Sequence, residues 1–422
     1  MEAINNPIAT TYLCRIYTPL AQGGWIDIPD GALVVTEGKI RYVGSRTDAL
    51  SRYPSSVIKD YSSCLIVPGF VDCHQHLCHY DWIRLIPNLM EWLEQIYKIE
   101  ARFKDLKYAV SVSRRFFSSL IKNGTTTCCV HGSYFAEATN AAFEAASEMG
   151  LRVLMGMNSA DENIPQVLRS SVNASIKEAN QLYRKWNGSA DGLLSYCFTV
   201  RPAYCASRQM LQSVSQAAKQ LEARIQCHLS EDAEAQRNIL DTFPSCKSDT
   251  EVYREVGLLG PRTIMAHGVY LSDTDRAELS ETGTSMIHCP RTNLLAGGRQ
   301  FDLQRARKFN IPLGLGTDLG GSKGLSMFRA MEDAMKVSPD ISVHDVFRLG
   351  TLEGATALGL ADKIGSLEIG KDADLLVLCP KIVNGEAAIT SFHIEDLLSS
   401  LAFHGDDRDV KVAAVKGRRI DR

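Results

Sequence analysis

The stretch VDCHQHLCHY, residues 71–80, holds three histidines and two cysteines and continues a β-rich run that begins at residue 64. Side chains two positions apart on a strand point to the same face. His74 and His76 therefore share one face, while Cys73 and Gln75 lie on the other. Because two imidazoles on one face can bind a single cation, this strand is predicted to carry part of a metal site.

Seven further β-rich runs follow along the chain, and helix-like stretches such as residues 136–150 and 207–223 lie between them. The predicted strands span residues 64–74, 124–131, 152–158, 193–200, 224–230, 263–269, 284–289 and 311–318. Strands that alternate with helices favour a parallel sheet. Eight such units fit a closed (β/α)8 barrel of the TIM type. An open doubly wound sheet is the alternative, but no G-x-G-x-x-G turn follows the first strand.

The two ends of the chain share a different pattern. Residues 31–44 alternate apolar and polar side chains around Glu37-Gly38, which is typical of a β-hairpin. Residues 372–380 and 410–420 repeat this alternation. We therefore predict an α/β protein of two domains. Residues 1–65 plus 365–422 would form a small β-sandwich domain, and residues 66–364 would form the TIM-like barrel inserted between them.

The composition of the chain excludes several classes of function. It has 422 residues, 45% of them hydrophobic and 23% charged, as in globular proteins. Its net charge of −3 without a long basic run predicts no nucleic-acid partner. No apolar run is long enough to span a membrane and no secretory signal begins the chain, which predicts a cytoplasmic protein without membrane contact. The 12 cysteines are then expected to be reduced thiols rather than a disulfide framework.

Polar side chains occur at the ends of most of the predicted strands. They are His74, His76, His131, Arg201, His228, His267, His288 and Asp318. A single histidine near a strand end is more often a structural residue, but several converging at one end of a barrel indicate an active site. His228 and Asp318 are the natural candidates to complete a metal shell with the histidine pair. This donor set suits zinc and leaves iron(II) open.

Glu231 follows His228 by three residues, just past the predicted strand. A carboxylate near a metal site can take a proton from water and deliver it to a leaving group. Ser230 and Glu231 could equally begin a helix, where an acidic side chain complements the helix dipole. The residues alone do not decide between these two roles.

Several motifs, in this order, resemble the metal-dependent amidohydrolase superfamily. They are the H-x-H pair, HLSE (228–231), MAHG (265–268), HCPRTN (288–293) and GLGTDLGGS (314–322). Two weaker motifs, MEWL (90–93) and GDDRDV (405–410), are similar to the guanine deaminase family within it. The resemblance covers nearly the whole chain. It implies a hydrolytic deaminase of an amino-purine, with guanine converted to xanthine and ammonia.

The resemblance also implies roles for individual residues. The metal ligands would be His74, His76, His228 and Asp318, holding one Zn²⁺ per chain. Asp318 would also accept a proton from the attacking water, His267 would hydrogen-bond that water, and Glu231 would carry the proton to a ring nitrogen. Residues 193–202 contain no lysine that could bridge two metals, which implies a mononuclear site. The substrate-binding residues would be His79, Trp92, Arg201, Pro202, Glu231 and His288, and the family implies a homodimer.

Two positions depart from the guanine deaminase pattern. His79 stands where the family has a glutamine that reads the purine, and Pro202 stands where an aromatic residue packs on the base. Both departures concern the small heterocyclic substrate rather than the metal or the proton transfer. 8-Oxoguanine, isoguanine or a pterin are therefore alternative substrates. A catalytically inactive relative that only binds ligands is a second alternative, although every proposed ligand is present.

Overall fold

The computed structural model describes residues 8–82, 89–295, 299–322, 324–382 and 388–420. The strands are β1 Thr10–Pro19, β2 Trp25–Thr36, β3 Lys39–Ser45, β4 Val57–Pro68, β5 Phe70–His76, β6 Thr125–His131, β7 Arg152–Gly156, β8 Asn158–Ser159, β9 Leu194–Val200, β10 Arg224–Leu229, β11 Thr263–His267, β12 Ser285–His288, β13 Leu313–Leu315, β14 Leu375–Leu378, β15 Val410–Val415 and β16 Arg418–Arg419. The helices are α1 Arg46–Arg52, α2 Leu89–Ala101, α3 Leu106–Lys122, α4 Ala136–Met149, α5 Val172–Trp186, α6 Ser189–Gly192, α7 Arg208–Gln220, α8 Ala233–Thr242, α9 Asp249–Glu255, α10 Asp273–Thr282, α11 Pro290–Leu295, α12 Leu303–Lys308, α13 Met327–Val337, α14 Val343–Arg348, α15 Gly354–Ala357 and α16 Ile394–His404. Within these residues, no helix is both long and apolar enough to cross a membrane.

The predicted barrel is confirmed. Its parallel strands are ordered β5-β6-β7-β9-β10-β11-β12-β13, and each corresponds to one of the eight predicted runs. Side chains and backbone close the gap between the last strand and the first. The Asp318 amide donates to the His74 carbonyl oxygen at 3.1 Å, and the Thr317 amide donates to the Asp72 carboxylate at 3.1 Å. This closure brings the segment after β13 against the H-x-H strand.

The barrel interior is packed with small apolar and sulfur-containing side chains. Cys73, Cys129, Cys197 and Cys289 lie there, fully buried, in a cluster with branched aliphatic residues. Free cysteine behaves in such a core as a small hydrophobic residue. Cys73, on the strand face opposite His74 and His76, is thus a core residue, and Cys78 is also buried, with 2% of it exposed.

The two chain ends together build the predicted small β domain, and its described strands form one continuous mixed sheet rather than the two stacked sheets of a sandwich. Its seven strands are hydrogen-bonded in the order β16-β15-β14-β4-β1-β2-β3, with parallel and antiparallel pairs in one mixed sheet. The predicted hairpin joins β2 and β3, with Thr36 opposite Lys39. Glu37 and Gly38 both adopt positive φ, at 51° and 75°, as the tightest hairpin turns require. The exact domain boundaries at residues 65/66 and 364/365 stay a prediction.

The expectation that every cysteine is a free thiol is wrong for one pair. Cys64 at the buried end of β4 and Cys379 just after β14 form a disulfide. Antiparallel pairing of the two strands sets Leu65 opposite Leu378, which brings the flanking cysteines together. They are 315 residues apart in sequence, so local patterns could not reveal the pair. The other ten cysteines are free and buried.

One buried arginine joins the barrel to the sheet. Arg152 begins β7, and its guanidinium lies 2.9 Å from the carboxylates of both Asp372 and Asp374, which precede β14. All three side chains are at most 4% exposed. Asp374 also accepts a hydrogen bond from the Lys416 amide. These contacts fasten the barrel wall to the C-terminal strands.

Arg152→Ala is expected to lower the apparent free energy of unfolding by about 3–5 kcal/mol, because it leaves the buried carboxylate of Asp374 without its counter-charge. Asp372 keeps its ion pair with Lys39 at 2.8 Å. Urea unfolding of both proteins measures the difference. Arg114→Ala is the matched control, since Arg114 forms an exposed ion pair with Glu148; its loss is expected to cost less than about 1 kcal/mol. Equal losses in the two variants would contradict a structural role for Arg152.

Candidate active site

Four of the predicted ligands meet at the C-terminal ends of the barrel strands. His74 and His76 end β5, His228 lies near the end of β10, and Asp318 follows β13. The Nε2 atoms of His76 and His228 are 3.1 Å apart. The Asp318 Oδ1 atom lies 3.5 Å from His74 Nε2 and 3.6 Å from His76 Nε2. All four residues are at most 5% exposed.

The protonation states suit metal binding. Burial lowers the pKa of the His74 imidazole, although Asp318 acts to raise it. Burial and the surrounding imidazoles hold the pKa values of His76 and His228 well below the usual range. For Asp318, burial acts to raise the pKa, but the hydrogen bond and charge of His74 outweigh it and the pKa is lowered to about 2. Neutral imidazoles and an ionised carboxylate are the forms that bind metals.

The donor atoms themselves fit a cation. His74, His228 and His267 present ring nitrogens within 4.8 Å of one another, and so do His76, His131 and His228. The Nε2 atom of His74 is buried without a hydrogen-bond partner among the described residues. The facing Nε2 atoms of His76 and His228 and the unpaired Nε2 atom of His74 destabilise a buried site unless a cation binds between them. Imidazole and carboxylate ligands with three or more histidines are typical of zinc sites.

Glu231 lies beside this cluster, just after β10. Its Oε1 atom is 3.7 Å from His267 Nε2. Burial raises the pKa of Glu231, and the Asp318 carboxylate adds to this rise, against a lowering effect of His267. The carboxyl can therefore bind a proton closer to neutral pH than an exposed glutamate can. The helix-start alternative is not what the structure shows, because Asp232 caps α8 and Glu231 precedes the cap.

His267 ends β11 and lies between the two carboxylates. Its Nδ1 atom is 3.1 Å from the Asn293 side-chain oxygen, which can only accept, so Nδ1 carries the proton. In the neutral ring, Nε2 then holds a lone pair, which faces Glu231 and Asp318 at 3.7 and 3.9 Å. Asn293 therefore orients the His267 ring.

Three residues around the site have a backbone conformation that L-residues rarely adopt. Ser230, His267 and Asp318 have positive φ values of 48°, 79° and 48°. Each follows or ends a barrel strand. Such strained positions persist where the surrounding structure holds them and are frequent at active sites. Asp249 supports the first of them, because its carboxylate accepts hydrogen bonds of 2.7 Å from both the amide and the hydroxyl of Ser230.

His79 is close to the site, but both of its ring nitrogens face protein atoms. Nδ1 lies 3.3 Å from the Leu319 carbonyl oxygen, and Nε2 lies 3.0 Å from the Glu100 carboxylate. The ring also stacks on His76, with centroids 4.4 Å apart. Trp92 packs edge-on against His79 and donates its Nε1–H to the Gly320 carbonyl oxygen at 3.2 Å. Both residues thus hold the loop after Asp318.

The remaining predicted residues lie around the same centre. Arg201 is 3% exposed and its Nε atom has no partner among the described residues. Pro202 follows it and is buried. His288 is fully buried with both ring nitrogens unpaired, and burial lowers its pKa to about 3. Its ring packs near Phe301, with centroids 5.5 Å apart.

Two participants had no role assigned from the sequence. His131 at the end of β6 packs against His76 and His228, with ring centroids 4.7 Å away from each. Its Nδ1 atom is paired with the Asn158 side-chain oxygen at 3.2 Å, which leaves Nε2 unpaired. The position of His131 at a strand end was the signal that could have revealed it. Glu100 is the second residue without an assigned role, and no short sequence motif contains it.

A (β/α)8 barrel that gathers histidines and carboxylates at its strand ends defines the class of metal-dependent barrel hydrolases. The model of the amidohydrolase family matches residues 65–420, and the chain belongs to that family. It is 31% identical to the guanine deaminase of Escherichia coli over 403 residues, which cover 93% of this chain and 91% of the relative. It is 30% identical to the mouse guanine deaminase over 376 residues, 84% and 82% of the two chains.

The fold is also shared with solved structures. The crystal structure of guanine deaminase from Bradyrhizobium japonicum superposes with a TM-score of 0.92 at 28% sequence identity, covering 98% of this chain and 99% of that one. The likeness extends over both the barrel and the sheet formed by the chain ends. The protein is therefore a hydrolase of the amidohydrolase family, in which the chemistry is metal-dependent.

Proposed function

We propose that the protein is a zinc-dependent deaminase that hydrolyses guanine to xanthine and ammonia. The observation that carries the proposal is the convergence of His74, His76, His228 and Asp318 with the proton-transfer pair Glu231 and His267 at one end of the barrel. The guanine deaminases to which the chain is similar support guanine as the substrate. The histidine and carboxylate donor set suits zinc, and iron(II) is the alternative.

His74, His76, His228 and Asp318 would hold the zinc ion. When bound, zinc supplies Lewis acidity that makes water a nucleophile at neutral pH. In the tautomer that donates from Nδ1 to Asn293, His267 would accept a hydrogen bond from the attacking water through Nε2. Asp318 faces the same space through Oδ2, 3.9 Å from His267 Nε2, and can accept a proton of the water.

Glu231 completes the proton transfer. The water oxygen bonds to the ring carbon that bears the exocyclic amine, and Glu231 delivers one water proton to the adjacent ring nitrogen. The second proton of that oxygen passes to the amine as the carbon–nitrogen bond breaks, which yields the carbonyl of xanthine and free ammonia. A carboxyl with a raised pKa can both accept and release a proton in one cycle.

Ammonia release from a panel of amino-heterocycles tests the proposal. Guanine, 8-oxoguanine, isoguanine, adenine, cytosine and pterin are compared at equal enzyme concentration. We expect kcat/KM for guanine to exceed the others by at least about tenfold, which corresponds to about 1.4 kcal/mol of transition-state discrimination. Turnover of another ring without turnover of guanine would keep the chemistry and overturn the substrate. Metal-loaded protein that releases no ammonia from any ring would favour the inactive binding protein.

Three further predictions stay open beside this proposal. The domain boundaries, the homodimer and the cytoplasmic location are proposed on the sequence pattern and the family resemblance. Ten buried free cysteines are typical of proteins in reducing compartments.

A further inference from the structure

Glu100 is a charged residue on the buried face of helix α2, where the spacing of the apolar residues predicts an apolar side chain. Helix α2 buries Leu93, Ile96, Tyr97 and Glu100, which follow the spacing of one apolar helix face. Glu100 is 0% exposed. A residue that breaks a local pattern without an evident gain in stability is most often found at a functional site.

Only one of the two carboxylate oxygens of Glu100 is used by the protein. Oε1 lies 3.0 Å from His79 Nε2, whereas Oε2 is buried with no hydrogen-bond partner among the described residues. Leaving a buried carboxylate oxygen unpaired is costly. Because the other ring nitrogen of His79 faces the Leu319 carbonyl oxygen, the ring is held on both sides and fixes the direction of the carboxylate.

Arg201 is the second unpaired group beside Glu100. Its Nε atom has no partner, and no ion pair within 4.0 Å joins the two side chains among the described residues. Their charges nevertheless interact: burial alone would lower the pKa of Arg201, and the charges of Tyr134 and Glu100 outweigh it, so that the pKa is raised well above its usual value. Arg201 directly follows β9, and β9 pairs with β10, which carries His228, so Arg201 lies at the same end of the barrel as the proposed catalytic groups.

We infer that Glu100 Oε2 accepts the ring N–H of a lactam edge of the substrate. The neighbouring carbonyl of that edge would meet Arg201, which the family resemblance already assigns to substrate binding. His79 is then a positioning residue that directs Glu100 and does not touch the substrate. This inference rests on the proposed function and deepens it. Such a site selects rings with an N–H next to a carbonyl. It disfavours rings in which the nitrogen beside that carbon carries a lone pair instead of a hydrogen.

The departure at position 79 has a physical reason in this arrangement. A glutamine there would offer an amide to the purine, whereas His79 has both nitrogens occupied. The task of reading the ring N–H passes to the free oxygen of Glu100. An ionised carboxylate can only accept, so it reads the edge more strictly than an amide, which can also donate.

Equilibrium binding of two purines that carry no amine tests the inference without turnover. Hypoxanthine offers the lactam edge, and unsubstituted purine offers neither the N–H nor the carbonyl. Calorimetry on the zinc-loaded protein is expected to show that Glu100→Met weakens hypoxanthine about ten- to a hundredfold and leaves purine unchanged. Glu94→Met is the matched control, since Glu94 lies exposed on the same helix; it should leave both affinities unchanged.

A double substitution shows whether His79 contacts the substrate itself or acts only by positioning Glu100. If His79 acts only through Glu100, His79→Gln weakens hypoxanthine in the wild-type background and has no further effect in the Glu100→Met background. Additive losses would show that His79 contacts the ring itself and would overturn its positioning role. Equal weakening of hypoxanthine and purine by Glu100→Met would overturn the lactam reading.

One measurement needs no variant. Wild-type protein should bind 1-methylhypoxanthine at least tenfold more weakly than hypoxanthine, because the methyl group removes the N–H that Glu100 would accept. Equal affinity, or no binding of either ring, would overturn the inference. If hypoxanthine binds more tightly than 1-methylhypoxanthine but guanine releases no ammonia, the proposed function alone is overturned. If guanine releases ammonia but the two hypoxanthines bind equally, only the role of Glu100 in binding the ring N–H is overturned.

Discussion

Glu231→Gln is expected to reduce kcat for guanine by about 10²–10⁴-fold, the range that a positioned acid–base group contributes. The amide keeps the size of the side chain but cannot take up and release a proton. In the wild-type protein, burial raises the pKa of Glu231, and its Oε1 atom lies 3.7 Å from His267 Nε2. Steady-state ammonia release measures the loss, and elemental analysis should show that the metal content is unchanged.

A nearby carboxylate provides the control for this substitution. Glu234 lies in the first turn of α8 and is partly exposed. Glu234→Gln removes the same charge close to the site, and turnover is expected to stay within about twofold of wild type. Retained turnover in Glu231→Gln would remove Glu231 from the mechanism. A loss of metal in that variant would show instead that Glu231 supports the metal ligands.

His228→Ala is expected to abolish both metal binding and turnover. The substitution removes a ring nitrogen that lies 3.1 Å from His76 Nε2. Changes to groups that merely support a metal ligand lower metal affinity 10–100-fold, so loss of a ligand should exceed about 100-fold. Elemental analysis after dialysis against a chelator should find close to one zinc per wild-type chain and almost none in the variant.

His393→Ala is the control for the loss of a histidine, because His393 is exposed and precedes α16, outside the barrel strands. It should keep both zinc and turnover. Adding zinc or iron(II) back to the metal-free wild type shows which ion restores ammonia release. A His228→Ala protein that retained one zinc would contradict the ligand set, and the cluster of His76 and His131 would then be the place to search for its donors.

The barrel could be predicted because each of its units carries a local signal. Short runs such as residues 125–131 are followed by amphipathic stretches such as residues 136–149, and their alternation favours a parallel sheet. The hairpin at Glu37-Gly38 could be predicted because apolar and polar side chains alternate on both sides of it and because Gly38 readily adopts positive φ. The disulfide between Cys64 and Cys379 could not be predicted from the sequence, because it depends on the pairing of strands from opposite ends of the chain.

Prediction of the site shows the same division. His74 and His76 share a face because of strand geometry, and His228 and Asp318 follow strands whose ends must meet in a barrel. Glu100 gave no such signal, because it lies on a helix outside the barrel wall. Its proposed role depends on its contact with His79 and on its charge interaction with Arg201, which only the folded chain creates. The role of Asp249 could not be predicted either, because the hydrogen bond that it accepts from Ser230 forms only in the folded chain.

The sheet built from both chain ends has a consequence for biosynthesis. During translation, β1 to β4 leave the ribosome long before β14 exists, yet β4 needs β14 as its antiparallel neighbour. Until then, the edge of β4 is an open template for pairing with other chains. The whole barrel must be synthesised before this edge is covered, because Cys64 and Cys379 are separated by 315 residues. Nascent chains of this protein are therefore exposed to aggregation through the edge of β4 until β14 emerges.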